Sequence, residues 1–203
     1  MKIYIKTHFY YGESVLIFGQ EWAQIKFIEN PGMAFGWEFG GVTGKYILSI
    51  FRILMSIFLI YFIRELIKAK ESKGFIAAFA LIIAGAIGNI LDSLYFGLIF
   101  SGSSHGSSIA TLLPEGGGYA PFLQGRVVDM FYFPMYRGHL PEWVPFKGGD
   151  FFEFFRPIFN VADASISVGV FIILLFFRKY FMKKKVDEKT VEIDTSIPKV
   201  DPS

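Results

Sequence analysis

Three long apolar runs, residues 46–63, 75–100 and 164–182, constrain this chain more than anything else in it. Crossing a hydrocarbon core takes about 20 helical residues, and all three runs are close to that length or beyond it. Only helices and closed barrels satisfy their own backbone in lipid, so the runs predict an α-helical integral membrane protein with a transmembrane bundle. Composition agrees, since 53% of the 203 residues are hydrophobic and 19% aromatic, too apolar for an ordinary soluble domain. The runs are not plain lipid anchors. Arg52 lies inside the first, and Asn89 and Asp92 lie inside the second. Charged or amide groups at such depth face a bundle interior or a site.

Basic residues orient the runs. Arg64, Lys68, Lys70 and Lys73 fill the link between the first two, and Arg178, Lys179, Lys183, Lys184 and Lys185 follow the third. Positive loops stay cytoplasmic, which predicts that residues 1–45 and 101–160 lie on the outer face. Three parts are therefore expected: an extracytoplasmic β-like segment closed by a turn (1–45), a membrane bundle with outer loop 101–160 (46–182), and a disordered cytoplasmic tail (183–203). Apolar and polar residues alternate in Lys2-Ile3-Tyr4-Ile5-Lys6 and in Ala23-Gln24-Ile25-Lys26-Phe27, with breaks at Gly12 and Gly19. Short strands in a small extracytoplasmic β-layer are predicted there. Residues 101–118 are rich in Ser and Gly and read as a mobile loop. Residues 130–155 are aromatic and carry Pro134, Pro141 and Pro145, so they cannot form one regular helix and are expected along the membrane interface. Residues 1–20 lack the apolar core of a secretory signal. Either the first complete span inserts with its N-terminus outward, or a helix preceding this sequence carries residues 1–45 outside.

Several function classes drop out. A net charge of +2, with basic residues beside apolar runs, gives no stripe for nucleic acid. With no cysteine there is no disulfide, thiolate nucleophile or Cys-based zinc site, and His8, His105 and His139 have no ligand spacing. No metal and no cofactor are expected.

Four polar segments stand out. Gly88-Asn89-Ile90-Leu91-Asp92 ends the second run and Phe159-Asn160-Val161-Ala162-Asp163 starts the third, each with Asn and Asp on one helical face. Val127-Val128-Asp129 places a carboxylate in an apolar stretch, and Asn30-Pro31-Gly32-Met33-Ala34-Phe35-Gly36 is turn-forming. The topology brings the acids to one depth. Two acids at close range do not both ionise, and the resulting split supplies a base for water and an acid for the leaving group. Plainer readings exist for each segment. Asn160 and Asp163 suit a helix start, Asn89 and Asp92 an interhelical clamp, Asp129 a solvated loop, and Asn30-Pro31-Gly32 a turn. Arg52 pairs with a buried acid or a carbonyl on this view, and Gly85 and Gly88 permit close helix packing. A transporter or proton relay is the rival class, but it predicts acids spread across the membrane, whereas these gather on one side. A scaffold, the third class, would be indifferent to losing Asp129.

Taken in order, the four motifs resemble the bacterial lipoprotein signal peptidase (signal peptidase II) family over residues 2–182. The resemblance implies an aspartic endopeptidase of the bacterial cytoplasmic (inner) membrane, with its site near the extracytoplasmic face. Such enzymes cut signal peptides from prolipoproteins before a cysteine that carries a diacylglyceryl group, and the cyclic peptide globomycin blocks them. The catalytic pair falls on Asp129 and Asp163, with Asn30, Gly32, Asn89, Asp92 and Asn160 shaping the substrate pocket and holding the pair. The family has four transmembrane helices, so three complete spans are expected here with the first missing, and Lys2 matches a lysine that follows it. Ser93 stands where many members carry Arg, and Arg126 is the candidate replacement.

Overall fold

The structure, a computed structural model, describes residues 1–31, 41–178 and 180. The turn through Gly32 and the tail 183–203 lie outside the described residues.

The expected strand at residues 2–6 is instead a helix, α1 (Lys2–His8). Its sequence serves either period, and distant partners decide. Lys2 and Lys6 are four apart, so a helix turns both to one side, where they meet Asp92 and Glu29. Ile5, on the same turn, is 3% exposed.

A hairpin follows, β1 (Ser14–Ile17) and β2 (Gln20–Asn30), turning at Gly19 with φ 71°. The first two apolar runs then form α2 (Gly41–Lys68) and α3 (Lys73–Ile99), both long and apolar enough to cross a membrane. Between them Ser72 caps α3 by accepting the Phe75 N–H at 3.3 Å. Next come β3 (Val127–Tyr132), β4 (Tyr136–His139), β5 (Phe151–Phe154) and β6 (Ile158–Phe159). The aromatic stretch is thus strand and turn, as its prolines demand. The third run begins at α4 (Val161–Phe176), which at 16 residues is shorter than the other two helices.

Strand order in the antiparallel sheet is β1-β2-β3-β6, while β4 pairs with β5 as a separate ribbon. Side chains alternate across a strand. Val128 and Met130 of β3 enter a core with Ile5, Phe27, Phe96, Phe100 and Ala110, so Asp129 points to the other face. The loop expected to be mobile is stitched at its base: Phe100 and Ala110 are buried, and the Ser101 N–H donates to the Thr111 carbonyl at 3.0 Å.

α3 and α4 pack antiparallel. A Cβ on Gly85 would sit 2.3 Å from the Ala162 carbonyl oxygen and 2.7 Å from Ile166 Cγ1, so glycine alone allows this approach. At the opposite end the Phe75 ring lies 5.1 Å from that of Phe177 and 4.9 Å from that of Tyr180. Asn89 and Asp92, late in α3, consequently lie beside Asn160 and Asp163 at the start of α4.

Candidate active site

The site is organised from the residue that caps α4. Asn160 caps that helix: its Oδ1 accepts the N–H of Ala162 at 2.8 Å and of Asp163 at 3.2 Å. Asp163 closes the capping box, its Oδ2 accepting the Asn160 backbone N–H at 3.0 Å. Backbone N–H groups can only donate, so the amide of Asn160 has one allowed orientation. Its Nδ2 must face away from the helix, and there it donates to Asp129 Oδ1 at 2.7 Å and Asn89 Oδ1 at 3.1 Å. Asn89 is oriented in turn. With its oxygen committed, its Nδ2 donates to Asp163 Oδ1 at 2.8 Å. Asn160 is fully buried and uses all its hydrogen-bonding capacity.

Asp129 reaches this network through sheet register. Asn30 pairs with Val127 and Ile28 with Asp129, which sets Asn30 and Asp129 on the same face. Asn30 Nδ2 donates to Asp129 Oδ2 at 3.3 Å. Burial pushes the Asp129 carboxyl up from 3.8 to about 6; the Asn160 N–H opposes that shift, and the charge of Asp163 adds to it. The two acids therefore sense each other across a shared amide. Such a pair can divide acid and base duties around one water.

Asp92 lies just outside the ring. Its Oδ2 accepts from Lys2 Nζ at 2.7 Å and from the Val128 N–H at 3.2 Å, fastening β3 to α3. Lys2 also donates to Asn89 Oδ1 at 2.9 Å. The register of β3 is secured one step earlier by Gly125. Its N–H donates to the Ser93 carbonyl at 2.9 Å, and a Cβ there would stand 2.2 Å from the Asp92 carbonyl oxygen. Nothing local in the sequence marks Gly125, because the atoms it must clear belong to a helix more than thirty residues earlier.

Arg126 goes elsewhere than expected. Its Nη1 donates to Glu29 Oε2 at 3.3 Å, and its guanidinium lies 5.7 Å from the centre of the Tyr119 ring. Glu29, on the core face of β2, also holds Lys6, and both side chains are shut off from solvent. Burial pulls the Lys6 ammonium down and the Glu29 carboxylate opposes that. This second cluster braces the strand that carries Asn30 and does not contact the acids. It was readable only as two lysines four apart and an acid beside Asn30.

Comparison with known proteins places this geometry. The family model described as signal peptidase (SPase) II matches residues 1–179. The lipoprotein signal peptidase of Porphyromonas gingivalis is 47% identical over 198 residues, which is 95% of this chain and 84% of that protein. That of Amoebophilus asiaticus is 35% identical over 155 residues, 76% of this chain and 61% of its own. A solved bacterial membrane enzyme, 26% identical, superposes with a TM-score of 0.52 over 88% of this chain and 83% of its own. The shared fold joins apolar helices to a sheet, as in a membrane protein. A family match of this length, carried on that fold, means that the chain belongs to the signal peptidase II family of membrane proteases.

Proposed function

We propose that this chain is a membrane aspartic endopeptidase that removes signal peptides from prolipoproteins, cutting before a cysteine that bears a diacylglyceryl group. The observation that carries the reading is the closed hydrogen-bond ring of Asn160, Asn89 and Asp163, to which the Asn160 amide ties Asp129. Asp129, pushed up to about 6, is the member that holds the shared proton. Asp163, with both oxygens already oriented by N–H donors, accepts the proton of the attacking water. Water adds to the scissile carbonyl as Asp129 gives its proton to the carbonyl oxygen. When the C–N bond breaks, the leaving nitrogen takes the proton held by Asp163 and the new carboxyl returns one to Asp129. No covalent enzyme intermediate is formed.

Placement follows from charge. Arg64, Lys68, Lys70 and Lys73 gather at the turn between α2 and α3, at the far end of α3 from Asn89 and Asp92. Retained positive charge makes that turn cytoplasmic, so the acids and the sheet belong to the outer face of the inner membrane, where a diacylglyceryl chain is within reach.

The test is cleavage of a lipid-modified precursor in detergent, with and without globomycin. Asp129→Asn and Asp163→Asn are each expected to lose about 10²–10⁴-fold in rate while still inserting. Wild-type cleavage by either variant overturns the reading, and so does indifference of the wild-type enzyme to globomycin.

A further inference from the structure

α2 carries a charge in the middle of its apolar run, and its helical face is defined by its neighbours. Lys45, Ser49, Arg52 and Ser56 fall at i, i+4, i+7 and i+11, along one stripe. Lys45 Nζ donates to the Gln124 carbonyl at 2.6 Å and Ser49 Oγ to the Leu123 carbonyl at 3.1 Å, while Ser49 and Ser56 are each 6% exposed. Phe51 and Leu54, off the stripe, are open to the surroundings. Arg52 thus faces inward between the two buried serines. From there its charge interacts with Asp163 and with Asp129.

Among the described residues, the other cations near the site are partnered as well. Lys2 is held by Asp92 and Asn89, and Lys6 and Arg126 are held by Glu29. Position 93 is a buried serine whose hydroxyl donates to the Asn89 carbonyl at 3.3 Å. Among the described residues, the charged groups around the pair are Lys2 from α1, Arg52 from α2, Asp92 from α3 and the acids themselves, while β2 contributes the neutral Asn30.

We propose that Arg52 is a positioning residue for the reaction, the cation that balances the single negative charge of the Asp129–Asp163 pair. The inference rests on the aspartic reading above. Two acids sharing one proton carry one net charge, and at an apolar boundary an unbalanced charge draws in a second proton and silences the base. A guanidinium stays charged at any working pH and cannot compete for that proton. α2 would then do more than anchor the enzyme. It would hold the pair in its active ionisation state.

The experiment measures kcat/KM against pH for purified Arg52→Gln, Arg52→Met and Arg52→Lys beside Asp129→Asn and Asp163→Asn, all on one lipopeptide. Loss of the cation makes the pair hold its shared proton more tightly. The whole bell should therefore move to higher pH by about half a unit or more, with kcat/KM on its acidic limb falling about threefold or more, in either neutral variant. Arg52→Lys should keep the wild-type profile. A profile that does not move in the neutral variants overturns the proposal. So does failure of both neutral variants to insert while Arg52→Lys inserts, because Arg52 is then a structural clamp. Cleavage that survives in the Asp variants defeats the aspartic reading itself, whereas inactive Asp variants with an unmoved Arg52 profile defeat this inference alone.

Discussion

Replacing Asn160 by Asp separates two roles that one side chain performs. Asn and Asp cap helices equally well, and the oxygen that accepts from Ala162 and Asp163 is kept, so the start of α4 loses close to nothing. The donor side is lost. Asp129 gives up its 2.7 Å N–H and Asn89 its 3.1 Å N–H. A hydrogen bond to a charged group is worth about 1.5–3 kcal/mol and a neutral one about 0.5–1.5 kcal/mol, for a combined loss of about 2–4.5 kcal/mol. A third carboxylate now also crowds Asp129 and makes proton release harder. Each ~1.4 kcal/mol is a factor of ten in rate, so cleavage should fall by about 30-fold to 10³-fold, and the alkaline limb of kcat/KM should move upward. Helix content by circular dichroism should stay at the wild-type level. Asn160→Ser keeps a capping oxygen and adds no charge, so its limb should move less. Near-wild-type cleavage with an unmoved limb in Asn160→Asp would refute the idea that the amide nitrogen organises the pair.

Gly125→Ala should disturb chemistry more than folding. Its Cβ would meet the Asp92 carbonyl oxygen at 2.2 Å and that of Ser93 at 2.9 Å, both backbone atoms, forcing β3 outward for about 1–3 kcal/mol of melting stability. A kcat/KM equal to wild type would show that β3 does not need this seat. Asp129→Asn carries a stability signature as well as inactivity. Burial pushes the folded carboxyl up from 3.8 to about 6, so the folded state binds the proton more tightly and wild-type stability should decline as pH climbs through that window. The Asn variant should be the more stable by about 1–3 kcal/mol at neutral pH, with the difference gone below pH about 4. A pH-independent difference in thermal melts would contradict the burial argument.

What could be read from the chain was what is encoded locally. Length and apolarity mark α2 and α3 without any tertiary information, and Asn160 with Asp163 carries its own helix-start chemistry. The helix at α1 could not be read this way. Lys2-Ile3-Tyr4-Ile5-Lys6 fits a strand by alternation and a helix by its four-residue lysine spacing, and only Asp92 and Glu29, both remote in sequence, decide between them. Gly125 was invisible for a similar reason, since the demand for a missing side chain comes from the backbone of α3. Arg126 was expected to replace the arginine that many family members carry at position 93. Strand alternation sends it to Glu29 on the other face.

The pair of acids draws one member from β3 and the other from α4, with the β4–β5 ribbon between them. Synthesis runs from the first to the second. On the proposed reading, a ribosome-bound chain carries Asp129 for some time before its counterpart emerges, and cutting competence would arrive only as α4 docks against Gly85. Assembly of the fold would then double as a safety catch, since a half-made protease of that kind has nothing with which to hydrolyse its neighbours.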